Sequence, residues 1–360
     1  MTNYSIDNHW FDQLKKDHTF LIAGPCSAET SDQVLEIAHA VKGVASIFRA
    51  GIWKPRTRPG GFEGVGSIGL EWLRQVKEET GLPIGVEIAT PEHVELALKY
   101  DIDVLWIGAR TSVNPFAVQD IANVLKNTDR IVMLKNPVNP DMPLWMGGLE
   151  RLLKAGIQKV ALIHRGFSTY EKNKYRNVPE WQIPLDIKAQ FPQIKMINDP
   201  SHITGNRSMI FDTAQMALDL NFDGLMIETH RSPDQAWSDA AQQVTPQALI
   251  EIVHTLKSRD LSNSEELFQM QLKNFRIEID ELDTNILKLL HKRMNLVEKI
   301  GYLKKEKNVA VFQQERWQEV LEKMKQNAKE YKLGEAFITD LYKAIHLESI
   351  ARQGKIINNK

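Results

Sequence analysis

The sequence predicts a (β/α)8 barrel, an α/β fold, followed by a smaller all-helical domain. Eight short apolar runs fill the first 258 positions and alternate with helix-length segments, a pattern that calls for parallel strands. Reactive and charged side chains stand where these runs end, as is typical of enzymes built on this barrel. Beyond residue 258 charge-rich helical periodicity replaces the strand pattern. We therefore expect a barrel domain at 1–258, a linker at 259–266 and a helical domain at 267–360.

Each predicted strand is a short apolar run that ends in polar or charged residues. In chain order the runs are Phe20 to Ala23, Ile47 to Gly51, Ile84 to Ala89, Val104 to Ile107, Ile131 to Leu134, Val160 to Ile163, Met196 to Ile197 and Leu225 to Ile227. The helical stretches between them include Ser31 to Val41, Ile68 to Glu79 and Pro91 to Tyr100. The run ends carry Cys26, Arg49, Glu87, Arg110, Lys135, Arg165, His202 and Glu228.

Composition limits the classes of partner. The 45 lysine and arginine residues nearly balance the 46 aspartate and glutamate residues, so we expect no nucleic-acid partner. No apolar window approaches the roughly 20 residues that span a bilayer, so we expect no membrane partner. The single cysteine excludes an intrachain disulfide, and the chain lacks a signal-peptide pattern near its start. These features favour a cytoplasmic protein that acts on small molecules.

The helical segment carries one long apolar stripe. Apolar residues recur in steps of three and four between positions 272 and 303, which predicts a single helix of about 40 residues. Such a stripe needs another long helix or a second subunit to cover it, so we expect a homodimer or a larger homo-oligomer. Arg293 interrupts the stripe, and because an unpaired guanidinium is costly to bury, it indicates a carboxylate partner from the protein or a ligand.

Four potential metal ligands follow the first, seventh and eighth runs, which adjoin in a closed barrel. They are Cys26, His202, Glu228 and Asp239. This mixed set of sulfur, nitrogen and oxygen donors suits manganese, iron, cobalt or zinc. Taken singly, the four have simpler interpretations: a small core cysteine, a histidine that caps a loop, and carboxylates in salt bridges. Their convergence on one barrel face favours a divalent metal site.

Cations crowd the same barrel face. Guanidinium forks bind phosphate and carboxylate in a bidentate way, and lysine adds a point charge. Because several converging cations repel one another without anions, the cluster predicts phosphorylated substrates. A solvated basic rim is the alternative for Arg58 and Arg231, but it suits Arg110, Lys135 and Arg165 less, since these directly follow buried runs. The full group is Arg49, Lys54, Arg56, Arg58, Arg110, Lys135, Arg165 and Arg231.

Six motifs follow the predicted strands in order: Gly24-Pro25-Cys26-Ser27, Arg49-Ala50-Gly51, Lys54-Pro55-Arg56-Thr57, Ile107-Gly108-Ala109-Arg110, Asp199-Pro200-Ser201-His202 and Met226-Ile227-Glu228. Through them residues 10 to 258 resemble the 3-deoxy-D-arabino-heptulosonate 7-phosphate (DAHP) synthases of the short type Iβ class. The resemblance implies condensation of phosphoenolpyruvate with erythrose 4-phosphate and water. The related 3-deoxy-manno-octulosonate 8-phosphate synthases lack the Lys-Pro-Arg-Thr form of the second loop, and they remain the alternative family for the barrel.

This resemblance also implies roles for the cations and the metal. Arg56 and Thr57 would bind the phosphate of the aldose, and Lys54 would also transfer a proton. The metal would polarise the aldehyde oxygen as a Lewis acid, while Glu87 would orient water or support a cation. Phosphoenolpyruvate would be held by Arg49, Lys54, Arg110, Lys135 and Arg165.

Residues 265 to 355 resemble the all-helical chorismate mutases, in a joint spacing of short motifs: Arg276, Leu282-Asp283, Arg293, Lys304, Arg316, Ser349 and Gln353. Arg293 and Lys304 face the same way because about three helical turns separate them. Arg276 lies roughly 25 Å from Arg293 along the axis, so it cannot serve the same pocket within one chain. The resemblance implies that it enters the partner subunit's site. The resemblance implies that the arginines clamp the carboxylates of chorismate while Lys304 and Gln353 donate to its ether oxygen.

The helical segment departs from this family at two positions. Gln313 and Trp317 stand where the family commonly has acidic residues near the substrate hydroxyl. A binding module that senses chorismate or prephenate with little turnover is therefore a second hypothesis, and a dimerisation helix with solvated arginines is a third. For the barrel, the alternative outside enzymes is a sugar-phosphate binding protein. If the helical domain binds chorismate or prephenate, as a mutase or as a sensor, we expect the bound ligand to inhibit the synthase activity of the barrel.

Overall fold

The computed structural model describes residues 4–16, 19–54, 60–170, 173–259 and 265–358. The chain divides into two compact units, Met1–Leu261 and Ser262–Lys360. Most of the predicted linker, like Arg56, Thr57 and Arg58 of the second loop, lies outside the described residues.

The first unit is a closed barrel of eight parallel strands in sequential order. The eight predicted strands and the fold class are confirmed. Strand β1 pairs with both β2 and β8, and the last pairing sets Gly24 opposite Glu228. The strands are β1 Phe20–Gly24, β2 Ile47–Arg49, β3 Ile84–Ile88, β4 Val104–Ile107, β5 Ile131–Lys135, β6 Val160–His164, β7 Lys195–Asn198 and β8 Gly224–Glu228.

The helices of this unit surround the barrel, and their apolar faces form one core with the outer faces of the strands. Side-chain caps begin several of them, as where Thr30, Thr90 and Asp141 accept backbone N–H groups at helix starts. The helices are α1 His9–Leu14, α2 Ser31–Val41, α3 Ile68–Thr80, α4 Pro91–Lys99, α5 Pro115–Leu125, α6 Met142–Lys154, α7 Gln182–Gln190, α8 Pro200–Thr204, α9 Ile210–Asp219 and α10 Pro246–Thr255.

The interior of the barrel is apolar along most of the strands and charged at their carboxyl ends. Ile47, Met133, Ile163 and Met226 belong to the inner cluster. Because side chains alternate between the two faces of a strand, the residues two positions further on continue the same inward direction. Those residues are Arg49, Lys135, Arg165 and Glu228. Alternation therefore delivers charged groups to the carboxyl end of the barrel, above a packed apolar floor.

His164 ends β6 and is completely buried among aromatic rings, which include Trp145, Phe167 and Trp181. Its Nε2 donates to the carbonyl of Pro179 at 2.6 Å, and its Nδ1 lies 3.2 Å from Asn198 Nδ2, which fixes the neutral tautomer. The pKa of His164 is lowered from 6.5 to about 4, chiefly by burial and in part by the charge of the neighbouring Arg165. The folded barrel therefore keeps this ring neutral where the unfolded chain protonates it.

We expect this neutral histidine to make the barrel sensitive to acid. The folded-state pKa of His164 lies below its unfolded value. The contribution of His164 to the free energy of unfolding is therefore fully present above pH 6.5 and is lost as the pH falls toward 4. The full loss is about 3 kcal/mol at about 1.4 kcal/mol per pKa unit. Urea unfolding from pH 7 to pH 4 should show a shallower pH dependence for His164→Gln than for the control His9→Gln, an exposed histidine. Equal slopes for the two variants would contradict the expectation.

The second unit consists of three helices, α11 Glu266–Glu306, α12 Gln314–Glu330 and α13 Glu335–Asn358. The 41 residues of α11 match the predicted long helix. Met294, Val297 and Gly301 of α11 are buried, and α13 packs against both other helices. The predicted apolar stripe is instead exposed, for Phe275, Ile279, Leu282, Ile286, Leu289, Leu296, Ile300 and Leu303 are 44–65% accessible. No helix in the described part of the chain is long and apolar enough to cross a membrane.

Candidate active sites of the barrel and of the helical unit

The centre of the barrel site is a buried ion pair between Arg49 of β2 and Glu228 of β8. Arg49 Nη1 lies 3.2 Å from Glu228 Oε1, and the guanidinium stacks 5.0 Å above the ring of Trp106. Among the described residues, Arg49 Nε and Glu228 Oε1 are buried without a hydrogen-bond partner. Because buried polar atoms are nearly always hydrogen-bonded, the pair is arranged to meet a further polar group.

Lys54 joins this centre to Cys26. Its Nζ donates to the Cys26 carbonyl at 2.6 Å and to the Cys26 Sγ at 2.8 Å. Gly51 leaves room for the contact, since a Cβ there would lie 2.4 Å from the Cys26 carbonyl oxygen. The pKa of the Cys26 thiol is raised to about 12, chiefly by burial and in part by the charges of Glu228 and Asp239. Without a metal ion the thiol is therefore protonated, and a divalent ion would be needed to convert it to a thiolate ligand.

The four predicted metal donors lie in two pairs. Cys26 Sγ is 3.4 Å from Asp239 Oδ2, and His202 Nε2 is 3.8 Å from Glu228 Oε1. No set of three or more His, Cys, Asp or Glu side chains has a metal-binding arrangement within the described ranges. Other partners hold the donors: Arg176 contacts Asp239 at 3.0 Å, and Gln242 donates to Glu228 at 2.6 Å. The donor types fit a divalent cation, and so does Glu228 Oε1, which is ion-paired with Arg49 but accepts no hydrogen bond among the described residues. The four donors are nevertheless arranged as two separate pairs.

Asp199 is a site residue that the sequence analysis missed. Its carboxylate accepts from Lys135 Nζ at 3.0 Å and lies 2.8 Å from His202 Nδ1. Burial alone would raise the pKa of Asp199, but His202 and Lys135 hold it well below the usual range. Asp199 thus orients the histidine that would bind metal and anchors a buried lysine. The inward register of Ile197 two positions earlier was the signal that could have found it.

Arg165 adds a further cation to the site. Its Nη1 donates to Asn177 Oδ1 at 2.7 Å, and Asn177 Nδ2 in turn donates to the His202 carbonyl at 2.6 Å. The pKa of Arg165 is lowered to about 10, chiefly by burial and in part by the nearby Arg176 and Arg110. The cations therefore destabilise one another, which an anionic substrate would relieve.

Glu87 lies on the same inner face. Its Oε2 accepts from the indole nitrogen of Trp106 at 3.1 Å, and a Cβ at Gly108 would lie 2.1 Å from Oε1. Glycine at 108 therefore leaves the space that this carboxylate occupies. Arg110 is exposed at the end of β4, and Arg231 pairs with Glu36 on the surface at 2.7 Å. Of the loop cations, Arg231 thus fits the solvated-rim alternative.

The helical unit contains a separate cavity of about 220 Å³. It gathers six of the residues that the sequence analysis named for chorismate: Arg293, Lys304, Gln313, Arg316, Ser349 and Gln353. Apolar side chains and two aromatic ones complete the lining: Val297, Ile300, Val311, Val320, Trp317 and His346. The cavity combines cations with an apolar wall, which suits a compact organic dianion.

Polar contacts hold the side chains around this cavity. Arg293 Nη1 donates to Ser349 Oγ at 2.7 Å, and Lys304 Nζ donates to the Val311 carbonyl at 2.6 Å. Burial lowers the pKa of Lys304. Gln353 Oε1 is buried without a partner among the described residues. Arg276 belongs to α11 and does not line this cavity.

Fold and site together define a (β/α)8-barrel enzyme with cations at the carboxyl end of its strands, joined to a helical domain whose cavity is lined in part by cations. A family model described as the DAHP synthetase I family matches residues 13–263, and one described as chorismate mutase type II matches residues 275–354. The chain belongs to the DAHP synthetase I family, because that match covers most of its length. It also carries a chorismate mutase type II domain, so one chain combines domains that match transferase and isomerase activities.

The individual relatives include both heptulosonate and octulosonate enzymes. Phospho-2-dehydro-3-deoxyheptonate aldolase of Thermotoga maritima is 29% identical over 238 residues, which are 66% of this chain and 68% of that protein. A 2-dehydro-3-deoxyphosphooctonate aldolase of Nitratidesulfovibrio vulgaris is 30% identical and covers 61% of this chain and 84% of its own. The crystal structure of the Thermotoga maritima DAHP synthase superposes with a TM-score of 0.59 at 28% identity, covering 66% of this chain and 67% of that one.

Proposed function

We propose that the barrel condenses phosphoenolpyruvate with erythrose 4-phosphate and water at the site built around Arg49 and Glu228. The observation that carries this proposal is the inward register of Arg49, Lys135 and Arg165 at the carboxyl end of the closed barrel. Phosphoenolpyruvate bears both a phosphate and a carboxylate, the groups that such cations bind. Its ligands would be Arg49, Lys54, Arg110, Lys135 and Arg165, and Arg56 and Thr57 would hold the aldose phosphate.

The protein side chains bind, orient and stabilise charge in this reaction. Arginine and lysine hold the two substrates in reach of each other and stabilise the phosphate that leaves after water adds at C2. Lys54, whose ammonium already donates to two atoms of Cys26, is placed to move a proton at that loop. Glu87 supports the cations through the charge it places beside Arg49 and Arg165.

A divalent ion belongs to this proposal. Cys26, His202, Glu228 and Asp239 would hold it, and when bound it would polarise the aldehyde oxygen as a Lewis acid. The donor set suits Mn²⁺, with Fe²⁺, Co²⁺ and Zn²⁺ as alternatives. Asp199 supports the assignment, because ligating histidines usually donate their second nitrogen to a carboxylate.

The helical cavity is proposed as the site that rearranges chorismate to prephenate. This rearrangement needs no covalent catalyst, so positioning and electrostatics are sufficient. Arg293 and Arg316 would bind carboxylates with Ser349 in support, and Lys304 and Gln353 would donate to the ether oxygen. Gln313 would contribute from the wall of the cavity, and Arg276 from the partner subunit.

The exposed apolar stripe of α11 supports a homodimer. Contiguous exposed apolar surface of this extent marks an interaction site, and a second copy of the same long helix would cover it. The same association would supply Arg276 to the other subunit. We expect sedimentation analysis to give a mass of two chains or more. The substitution Leu282→Glu, which places a charge on the exposed stripe, should shift the protein toward single chains. A single-chain mass for the unmodified protein would contradict this arrangement.

Two further proposals concern regulation and place. We propose that chorismate or prephenate in the helical cavity inhibits the synthase, which one chain with both activities permits. Alternatively the helical unit acts mainly as a sensor, a possibility that the departures at Gln313 and Trp317 keep open. The cytoplasm is the proposed compartment, supported by the one cysteine, which is buried and free.

A paired assay on the full chain tests both activities at once. Consumption of phosphoenolpyruvate is followed with erythrose 4-phosphate, and with arabinose 5-phosphate as the control aldose that the octulosonate enzymes use. Consumption of chorismate is followed alone. We expect a chelator to abolish the first activity, added Mn²⁺ to restore it, and the second to be unaffected. Synthase activity that survives complete metal removal would refute the metal assignment. Preference for arabinose 5-phosphate would refute the assignment of erythrose 4-phosphate as the aldose substrate.

A further inference from the structure

His346 is a polar side chain of the helical cavity to which none of the roles above applies. It lies on α13, three residues before Ser349 and seven before Gln353, a spacing that puts the three side chains on one helix face. All three line the cavity. His346 is therefore placed among the residues proposed to contact the substrate.

Aromatic neighbours hold the His346 ring. The imidazole stacks on Trp317 of α12, with the ring centroids 4.1 Å apart and an interplanar angle of 14°. Phe312 lies 5.9 Å away in a tilted arrangement. Within the described residues, His346 Nε2 is buried and has no hydrogen-bond partner. Leaving such a buried atom unpaired is unfavourable, so its position in a ligand cavity indicates a polar group supplied by the ligand.

The charges around the ring indicate what kind of group this is. Arg293 of α11 and Arg316 of α12 line the same cavity and are assigned to the two carboxylates, and Lys304, which also lines it, is assigned to the ether oxygen. Burial lowers the pKa of His346, and Arg293 lowers it further, so the ring is neutral near pH 7. A neutral imidazole offers one donor and one acceptor. It suits an uncharged hydroxyl group better than it suits another carboxylate.

We propose that His346 determines substrate specificity in the helical cavity by hydrogen bonding through Nε2 to the ring hydroxyl of chorismate. The proposal rests on the mutase function proposed for this cavity. Gln313 and Trp317 replace the acidic residues expected near that hydroxyl, and Trp317 is the residue on which the His346 ring stacks. The indole thus positions the imidazole at the part of the cavity where the expected carboxylates are absent.

A protein-by-substrate cycle on the full chain tests this contact. His346→Phe keeps an aromatic ring against Trp317 and removes Nε2. The two substrates are chorismate and an analogue with hydrogen in place of the ring hydroxyl. We expect the substitution to lower kcat/KM for chorismate about tenfold, the value of one hydrogen bond of roughly 1.4 kcal/mol, and to change it less than about twofold for the analogue. An equal loss for both substrates would mean that His346 has only a structural role and would overturn the proposal.

Two controls separate the possible failures. His346→Gln restores a donor and should recover part of the discrimination, whereas Arg352→Ala, on the same helix but outside the cavity lining, should leave it unchanged. If the unmodified chain does not turn over chorismate, the proposed function fails. Calorimetric titration with prephenate, which carries the same hydroxyl, then tests the contact itself. Binding about tenfold weaker to His346→Phe would support the hydrogen bond, and equal binding would overturn it.

Discussion

The substitution Arg293→Ala is expected to lower kcat/KM for chorismate rearrangement by about 10³-fold, the upper range for loss of one positioned donor to the reacting group. Arg293 is held by Ser349 at the wall of the cavity and is one of its cations. Its removal takes away a bidentate carboxylate ligand that no neighbouring side chain replaces in geometry. Steady-state rates of chorismate loss give the comparison.

The same variant should also separate catalysis from regulation. We expect its synthase activity to equal that of the unmodified chain but to lose inhibition by prephenate, because the effector would no longer bind. Arg352→Ala is the matched control, since Arg352 pairs with Glu298 and Glu348 and does not line the cavity. Prephenate inhibition that persists in Arg293→Ala would place the regulatory site elsewhere. Inhibition of an unmodified chain that lacks mutase turnover would make the helical unit a sensor.

Cys26→Ser is expected to lower the synthase kcat/KM by about 10²–10³-fold, because Lewis-acid stabilisation by a metal contributes several kcal/mol. Serine nearly preserves the volume of the buried side chain and its contact with Lys54. It cannot supply the thiolate that would complete the mixed donor set of the divalent ion. Metal analysis after dialysis, measured beside the rate, should show less than one bound ion per barrel.

Mutase activity in the same Cys26→Ser chains is the internal control, and we expect it to be unchanged because the helical cavity lies in the other unit. A variant that retains full synthase activity with a full metal content would show that Cys26 is a core residue. Loss of activity with full metal content would assign the thiol a role in substrate positioning through Lys54.

The strands and their order could be predicted from the sequence because a fully buried parallel strand is a short apolar run. The long helix α11 could be predicted for a similar reason, since its stripe repeats at the helical period. Period-two alternation also explains why Arg49, Lys135, Arg165 and Glu228 point inward together. Asp199 was missed, although the same alternation through Ile197 places it at the site.

Other features depend on contacts between segments far apart in the chain. Cys26 is held by Lys54, Asp239 by Arg176, and Glu228 by Gln242, so the expected set of four metal donors is found as two pairs. Nothing in the local pattern around these residues predicts such partners. His346 was missed because only the closing of α12 against α13 brings it onto Trp317 and beside the cavity.

By itself the sequence determined the barrel, the all-helical segment, the inward cations and six residues of the helical cavity. The barrel, the helical segment and the inward cations follow from the periodicity of apolar residues, which decides which side chains face inward along each strand and helix. The six cavity residues follow from the resemblance to the chorismate mutases. Only the tertiary structure decided which ion pairs form at the barrel mouth, which imidazole is left without a partner, and which apolar stripe stays exposed. Those outcomes depend on distances between side chains of different elements, which burial and charge select only after the elements pack.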